Sequence, residues 1–331
     1  MGIDAKWADI TAQAVFHTLV ASLFVEALVR TWRVREPGQR MALRLLALAY
    51  PLVVFPLLAL AVPVRADEAF RDGAALFVGR RWDAVRVAGV GLFHWWVAGL
   101  CAAGAALLLM DLVPLLRGRR RPRPVASPPP AATAAALDTA LGPLAAALGV
   151  PRPPVVFLDR DVPVLFCTGV RRHAIVISRG AVALLDPAEL RAALAHELAH
   201  VARRDPASSW VVMAARVAMF FNPAYQVVAR AVARDAEALA DERAAAACDD
   251  RLALASGLLK LWRATHGAAP PVRRTLPLAG ALTEPLTRAR IIDIEQRCRR
   301  LLDAAPPRLR FGAARLVLAG GTLTALLFFV I

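Results

Sequence analysis

The sequence has 331 residues, of which 58% are hydrophobic and only 20% charged, a composition that argues against a wholly soluble protein. The net charge of +15 is carried almost entirely by arginine, and no stretch combines basic residues with spaced aromatic side chains, so direct nucleic-acid binding is not expected. The four cysteines form no CxxC pair and indicate neither a disulfide framework nor a thiolate zinc site.

Four long apolar runs predict transmembrane helices, three of them within residues 1–116. Each run is close to the roughly 20 residues that span a bilayer core. The N-terminus lacks the basic region of a signal peptide, so the first run is interpreted as a retained helix. The predicted helices cover residues 10–29, 45–64, 87–110 and 313–331.

Clusters of arginine set the predicted orientation, because basic loops stay on the cytoplasmic side of a membrane. Five arginines lie in residues 30–44, between the first two runs, and five more lie in residues 117–123. Both segments are therefore placed inside the cell. We expect a multi-pass protein of the inner (plasma) membrane, with its N-terminus outside, residues 117–312 cytoplasmic and its C-terminus outside.

Residues 117–130 are predicted to form a basic, proline-rich linker, and residues 131–312 a cytoplasmic domain long enough for one core. Asp186-Pro187 predicts the start of a helix that continues through the HELAH sequence at 196–200. The other predicted elements of this domain are a helix at 131–148 and strands at 155–158 and 174–177.

The HELAH sequence predicts a metal site. His196 and His200 are four residues apart and so lie on one face of a helix, where their imidazoles can bind one ion. Glu197 lies on the adjoining edge and can accept a proton from a water held by the metal. The alternative is a chance pattern in an Ala/Leu-rich helix.

A second helix offers the missing third ligand. Glu237 and Asp241 are again four residues apart and share one face. Glu237 completes a set of two histidines and one glutamate for a single Zn²⁺, and Asp241 can orient a histidine through its second ring nitrogen. The alternative is an ordinary solvated face of a charged helix.

Residues 210–229 form another mostly apolar stretch of about the length of a membrane span. A single crossing there would place Glu237 on the other side of the membrane from His196 and His200. We therefore interpret the stretch as a core or membrane-surface helix.

The segments HELAHVARRD and FNPAYQVVARAVARDAEALADE resemble the zinc metallopeptidase domain of the beta-lactam-sensing transmembrane regulators, a family of antirepressor proteases. That family has HExxH followed by Arg-Arg-Asp, then an Asn-Pro and a Glu-x-x-Cys-Asp motif. Its members place the protease domain in the cytoplasm between a third and a fourth membrane helix, and the resemblance covers most of this chain.

The resemblance implies a polytopic α-helical membrane protein with an α+β, thermolysin-like (gluzincin) zinc metalloprotease domain. The implied activity is that of a zinc metalloendopeptidase that cleaves a winged-helix repressor, or itself, in transmembrane signalling. The implied roles are metal ligand for His196, His200 and Glu237, general base for Glu197, and support of the ligands for Asp241 and for Asp205 after the arginine pair.

Two departures from the family pattern change what is expected. Ala240 replaces the usual Cys before Asp241, which removes no ligand. The sequence stops at Ile331, where the best-known members continue into an extracellular penicillin-binding sensor. Sensing of a beta-lactam is therefore not implied, and the input is expected from a separate sensor protein, a homodimer partner, or the membrane helices within the lipid bilayer.

Two other functions are compatible with the same residues. An HtpX-like protease for membrane-protein quality control would share every catalytic residue. A non-proteolytic receptor with a structural zinc ion is disfavoured by Glu197, because a structural site needs no general base.

A few further residues are weaker candidates. His266, Tyr225 and Arg290 could stabilise a tetrahedral oxyanion, and each has a structural role as its alternative. Residues 166–168 are a candidate edge strand, against which a peptide substrate would lie in extended form.

Overall fold

The computed structural model describes residues 3–62, 85–119, 127–169, 172–203, 205–266, 293–303 and 313–328. Within these ranges the chain is mostly helical, with a two-stranded and a three-stranded sheet. The chain divides into two compact units. The first unit comprises Met1–Arg121, Val211–Ala236 and Arg308–Ile331, and the second comprises Pro122–Trp210 and Glu237–Pro307.

The helices and strands follow one another in a simple order. Up to residue 147 they are α1 (Ile3–Thr31), α2 (Pro37–Ala49), a π-helical turn (Tyr50–Val54), α3 (Phe55–Ala61), β1 (Arg86–Val87), β2 (Val90–Gly91), α4 (Leu92–Arg119) and α5 (Ala131–Ala147). They continue with β3 (Val155–Leu158), β4 (Leu165–Thr168), β5 (Ala174–Ser178), α6 (Arg179–Leu184), α7 (Pro187–Ala202), α8 (Asp205–Ala218), α9 (Pro223–Cys248), α10 (Arg251–His266), α11 (293–302) and α12 (Ala313–Phe328).

Two of the described helices are long and apolar enough to cross a membrane. The apolar spans are Ile10–Thr31 within α1 and Leu92–Val113 within α4. The predicted run at 45–64 is divided instead between α2, the π-helical turn and α3. Pro51, which has no amide hydrogen to donate, lies inside that turn, and π-helical insertions of this kind bend a helix.

The predicted helix at 87–110 begins later in the structure, at Leu92. Residues 86–91 form a short antiparallel hairpin in which Arg86 pairs with Gly91 and Val87 with Val90. Ala88 and Gly89 at its tip both have positive φ, 52° and 79°, the backbone that a tight hairpin turn requires. The prediction therefore missed a hairpin turn before the helix, because the residues of the turn are themselves mostly apolar.

The first unit is built around α1, α2, the first half of α9, and α12, whose apolar side chains form one buried cluster. Charged side chains join three of these elements. Arg44 of α2 donates through Nε to Glu26 Oε1 at 2.7 Å and also pairs with Asp235 of α9. Arg40 Nη2 lies 2.8 Å from the other oxygen of Asp235. These ion pairs fix the position of α9 against α1 and α2.

The second unit contains a three-stranded sheet with strand order β3-β5-β4. The central strand β5 is parallel to β3 and antiparallel to β4. The predicted strands at 155–158 and 174–177 are confirmed, and residues 166–168 lie in an edge strand, as predicted. Side chains of α5, α7 and α10 complete the core, which includes Leu144, Leu194 and Leu254.

Helix α7 begins at a complete capping box. Asp186 accepts the amide of Glu189 at 2.9 Å, and Glu189 Oε2 accepts the amide of Asp186 at 3.0 Å, with Pro187 as the first helical residue. Glu189 is buried and is also held by α10, since Ser256 Oγ and Lys260 Nζ each donate to it at 2.6 Å. The helix that carries HELAH is thus fixed at its start by local and tertiary hydrogen bonds.

Candidate metal centre

Two helices bring three metal-binding side chains together. His196 and His200 lie on one face of α7, with their Nε2 atoms 3.1 Å apart. Glu237 of α9 faces both: its Oε2 is 3.6 Å from His196 Nε2, and its Oε1 is 3.7 Å from His200 Nε2. One ligand atom from each residue lies within 4.8 Å of the others.

These separations fit a single small cation. With bonds of about 2.0–2.2 Å in a tetrahedron, the donor atoms around zinc lie roughly 3.4 Å apart. The three measured separations, 3.1, 3.6 and 3.7 Å, bracket this value. Two imidazole nitrogens and one carboxylate leave a fourth position for water or substrate, as catalytic zinc sites do.

Asp241 supports one of the two histidines. Its Oδ1 lies 2.9 Å from His196 Nδ1, and both side chains are buried. Contact at Nδ1 leaves Nε2 directed at His200 and Glu237. Burial lowers the pKa of His196, but the carboxylates of Asp241 and Glu237 outweigh burial and raise that pKa to about 10. An ion at Nε2 must therefore displace a tightly held proton.

Arg297 of α11 completes the site and was missed by the sequence reasoning. Its Nε and Nη2 each donate at 2.8 Å to a different oxygen of Asp241, and its Nη1 lies 3.2 Å from Glu237 Oε2. Such bidentate arginine–carboxylate pairs are strong and directional. A sequence signal existed, because Arg297 lies between the buried Ile294 and Leu301 at helical spacing and so faces inward.

The same contacts keep both carboxylates ionised. Burial would raise the pKa of Glu237, but His196 and Arg297 outweigh it and lower the pKa to about 2. Burial likewise opposes ionisation of Asp241, and the hydrogen bonds from His196 and Arg297 hold its pKa well below the usual range. Both carboxylates are therefore ionised near neutral pH, where His196 and Arg297 balance their charge.

Glu197 lies next to the donor set and touches the sheet. The backbone N–H of Cys167, in edge strand β4, donates to Glu197 Oε2 at 2.7 Å. Burial raises the pKa of Glu197, while the two neighbouring histidines oppose that rise. Burial also raises the pKa of the Cys167 thiol, to about 11, with the charge of Glu197 adding to the effect. Cys167 is thus a protonated thiol whose backbone, not its sulfur, contributes to the site.

The structure shows no contact between the remaining sequence candidates and the metal centre among the residues it describes. Asp205 is the first residue of α8 and His266 the last of α10, and the side chain of neither is among those described. Arg290 lies outside the described residues. Tyr225 is only 2% exposed and packs in the apolar cluster of the first unit. This burial gives Tyr225 a packing role and does not support its assignment to an oxyanion.

A comparison with protein families matches residues 94–284, more than half of the chain, to the BlaR1 peptidase M56 model. The matched region contains both histidines, Glu197, Glu237 and Asp241. It ends before Arg297.

Several curated proteins are similar to the chain. The protease HtpX homologue of Persephonella marina is 28% identical over 207 residues, which are 49% of this chain and 72% of the relative. That of Salinibacter ruber is 28% identical over 44% of this chain and 68% of the relative. That of Methylibium petroleiphilum is 32% identical over 44% of this chain and 59% of the relative.

Proposed function

The chain belongs to the BlaR1 peptidase M56 family and is a membrane-associated peptidase, and on this premise we propose that it is a zinc endopeptidase. In the proposed site His196, His200 and Glu237 bind one Zn²⁺, and Glu197 is the general base. The observation that carries the proposal is the donor set itself: three ligand atoms within 4.8 Å of one another, with Glu197 next to them.

Each side chain has a defined task in peptide hydrolysis. The metal, when bound, polarises the scissile carbonyl and makes a water acidic enough to attack near neutral pH. Glu197 accepts the proton of that water and delivers it to the leaving amine. The Cys167 amide keeps Glu197 oriented.

Asp241 and Arg297 position the ligands. Asp241 holds His196 through Nδ1, which leaves Nε2 for the ion. Arg297 neutralises the buried charge of Asp241 and restrains the carboxylate of Glu237. Edge strand β4 offers a substrate peptide the backbone groups that pairing in extended form requires.

We further propose a multi-pass topology in which α1 and α4 cross the inner membrane and the second unit is cytoplasmic. The two arginine clusters at 30–44 and 117–123 support this orientation. By resemblance to the beta-lactam-sensing regulators, the proposed substrate is a cytoplasmic winged-helix repressor, or the protease itself. A separate sensor protein or a second copy of the chain would supply the signal.

A second candidate is a protease that acts on many membrane proteins. It is favoured by the relatives, which are named protease HtpX homologues. The two candidates share the same site and differ in substrate range. Quantitative proteomics in cells with and without the active protein separates them: one depleted repressor supports signalling, whereas a broad set of membrane proteins supports the HtpX-like role.

The test of the protease itself is Glu197→Gln in the full chain, with Glu295→Gln as the matched control at an exposed glutamate of α11. We expect Glu197→Gln to keep one zinc ion per chain, measured by mass spectrometry of the metal, and to lose cleavage by about 10²–10⁴-fold. Glu295→Gln should behave as wild type. Equal cleavage by both variants would refute the general-base role, and absence of zinc from all three proteins would refute the zinc site.

A further inference from the structure

The turn between α8 and α9 lies against the middle of an apolar span. Gly104 of α4 contacts it so closely that an added Cβ would come within 2.4 Å of the Phe220 carbonyl oxygen and 2.9 Å of the Asn222 nitrogen. Gly104 lies near the centre of the Leu92–Val113 span, about 18 Å along the helix from Leu92 at 1.5 Å per residue. The turn therefore lies at the level of the hydrocarbon core of the bilayer if α4 crosses the membrane.

The same turn also contacts the other apolar span. Asn222 is fully buried, and its Nδ2 donates to the Ala14 carbonyl at 3.0 Å and to Thr18 Oγ1 at 2.8 Å. Both partners lie inside the Ile10–Thr31 span of α1. The turn therefore contacts both apolar spans, at Gly104 of α4 and at Ala14 and Thr18 of α1.

Buried side chains of the turn satisfy several of the backbone groups around it. Asn222 Oδ1 accepts the amide of Tyr225 at 3.0 Å, which caps the start of α9. The fully buried Gln226 donates through Nε2 to the carbonyls of Arg216 at 2.9 Å and Met219 at 3.1 Å, at the end of α8. At membrane depth, irregular backbone is tolerated where it is buried in protein, and both Asn222 and Gln226 are buried.

Ion pairs join α8 and α9 to α4 at a distance from the turn between them. Asp111, near the end of the α4 span, accepts from Arg216 Nη2 at 2.5 Å and from Arg230 Nε at 2.9 Å. Arg230 also donates to the Leu107 carbonyl at 2.7 Å. Charges paired at the end of a span are expected at a membrane interface.

Two separations along the helices indicate how far the tip of this turn lies from the charged residues. At 1.5 Å per residue, Gly104 is about 10 Å from Asp111 along α4, and Asn222 is about 12 Å from Arg230 along α9. A hydrocarbon leaflet is about 15 Å thick. With Asp111 and Arg230 at the membrane interface, the tip lies within the hydrocarbon core.

The outer surface of the hairpin is apolar. Val211, Val217, Phe220 and Val227 are each between 47% and 70% exposed. We propose that residues 211–230 form a re-entrant helical hairpin that enters and leaves one leaflet from the Asp111 side, with lipid acyl chains against these side chains. This inference rests on the proposed crossing of the membrane by α1 and α4.

Depth measurement by electron paramagnetic resonance tests the hairpin in the full chain reconstituted into phosphatidylcholine–phosphatidylglycerol vesicles. A nitroxide is attached to single cysteines introduced by Phe220→Cys and Val227→Cys in a cysteine-free background. Ala103→Cys on the exposed face of α4, near the middle of its apolar span, and Leu302→Cys on α11 serve as the hydrocarbon and aqueous references. Collisions with oxygen report hydrocarbon, and collisions with a water-soluble nickel chelate report solvent.

We expect the Phe220 probe to collide with oxygen several-fold more than with nickel, as the Ala103 probe does, and the Val227 probe to lie several Å closer to the interface. The Leu302 probe should show the reverse preference. If the Phe220 and Val227 probes match Leu302 while Ala103 stays in hydrocarbon, the hairpin proposal fails and the membrane crossing stands. If the Ala103 probe is also accessible to nickel, both proposals fail.

Discussion

Asp241 Oδ1 lies 2.9 Å from His196 Nδ1, within hydrogen-bond distance in a buried environment. Because the opposite ring nitrogen faces His200 and Glu237, this contact keeps a proton on Nδ1 and leaves Nε2 as the atom that can bind an ion. Asp241, which is not a ligand, therefore determines the orientation of one of the ligands.

We predict that Asp241→Ala lowers zinc affinity about 10–100-fold, the usual cost of removing a carboxylate behind a histidine ligand. The measurement is competition with a chromophoric chelator of known affinity. Asp138→Ala is the matched control, because Asp138 is exposed and pairs only with an exposed arginine among the described contacts. Unchanged affinity in Asp241→Ala would show that the contact does not support the ligand.

Arg297→Ala is expected to destabilise the metal-free protein by about 3 kcal/mol, because it leaves the buried Asp241 charge without its bidentate partner. Arg297→Lys should recover only part of this, since an ammonium group cannot make the paired hydrogen bonds. Thermal unfolding in the presence of a chelator measures the effect, expected as a fall of roughly 6–12 °C in Tm.

Arg299→Ala is the control for that substitution. Arg299 lies two residues away on α11, is 75% exposed and pairs with Glu295 on the surface. Its replacement should change stability by no more than about 0.5 kcal/mol. Equal Tm values for the two alanine variants would contradict the assignment of Arg297.

A pH-dependent contribution to stability is expected from Glu189. Burial alone would raise the pKa of Glu189, but hydrogen bonds from Lys260, Ser256 and the Asp186 amide outweigh it and lower the pKa below its ordinary value of 4.5. The folded state then binds fewer protons than the unfolded state. The stabilisation is complete above pH 4.5 and is lost as the pH falls through the folded pKa.

We therefore predict that Glu189→Gln lowers Tm at pH 7 and that the gap from wild type narrows as the pH falls below about 4.5. Both proteins are measured with chelator present, so that loss of metal does not contribute. Glu295→Gln, on the surface, should follow wild type throughout. A gap that stays constant with pH would show that the Glu189 charge is not the source.

Gly104→Ala and Gly99→Ala form a matched pair on α4. A Cβ at Gly104 would meet backbone atoms of the α8–α9 turn, whereas at Gly99 it meets nothing within 4 Å. We expect Gly104→Ala to destabilise by about 1–3 kcal/mol through overpacking, and Gly99→Ala to be neutral or to stabilise by up to about 1 kcal/mol through helix propensity. Thermal unfolding in detergent distinguishes them, and identical Tm values would contradict the close packing.

The sequence was sufficient to predict features that depend on local spacing. Residues four apart on a helix share a face, so His196, His200, Glu237 and Asp241 could be paired before any fold was known. The start of α7 was equally local, since Asp186, Pro187 and Glu189 form a capping motif.

Features that depend on tertiary packing were not predictable in the same way. The helical spacing of Ile294 and Leu301 indicates that Arg297 faces inward, but only the approach of α11 to α9 shows that Asp241 is its partner. Residues 210–229 were interpreted as one core or membrane-surface helix, whereas the structure divides them between α8 and α9. The contacts of the intervening turn with Gly104 and Ala14 join residues far apart in sequence and could not be predicted from it. The hairpin at 86–91 was hidden because its residues are as apolar as the helix that follows.

The proposed re-entrant position of the α8–α9 hairpin has a consequence for how the chain would be inserted during synthesis. α1 and α4 precede the hairpin in the chain, so their contact surfaces around Ala14 and Gly104 are synthesised before Asn222 and Gln226. In the proposed topology the hairpin enters and leaves by the same face of the membrane, and no loop has to be translocated. This stretch of hydrophobic sequence is then accommodated without changing the side of the bilayer on which α12 begins.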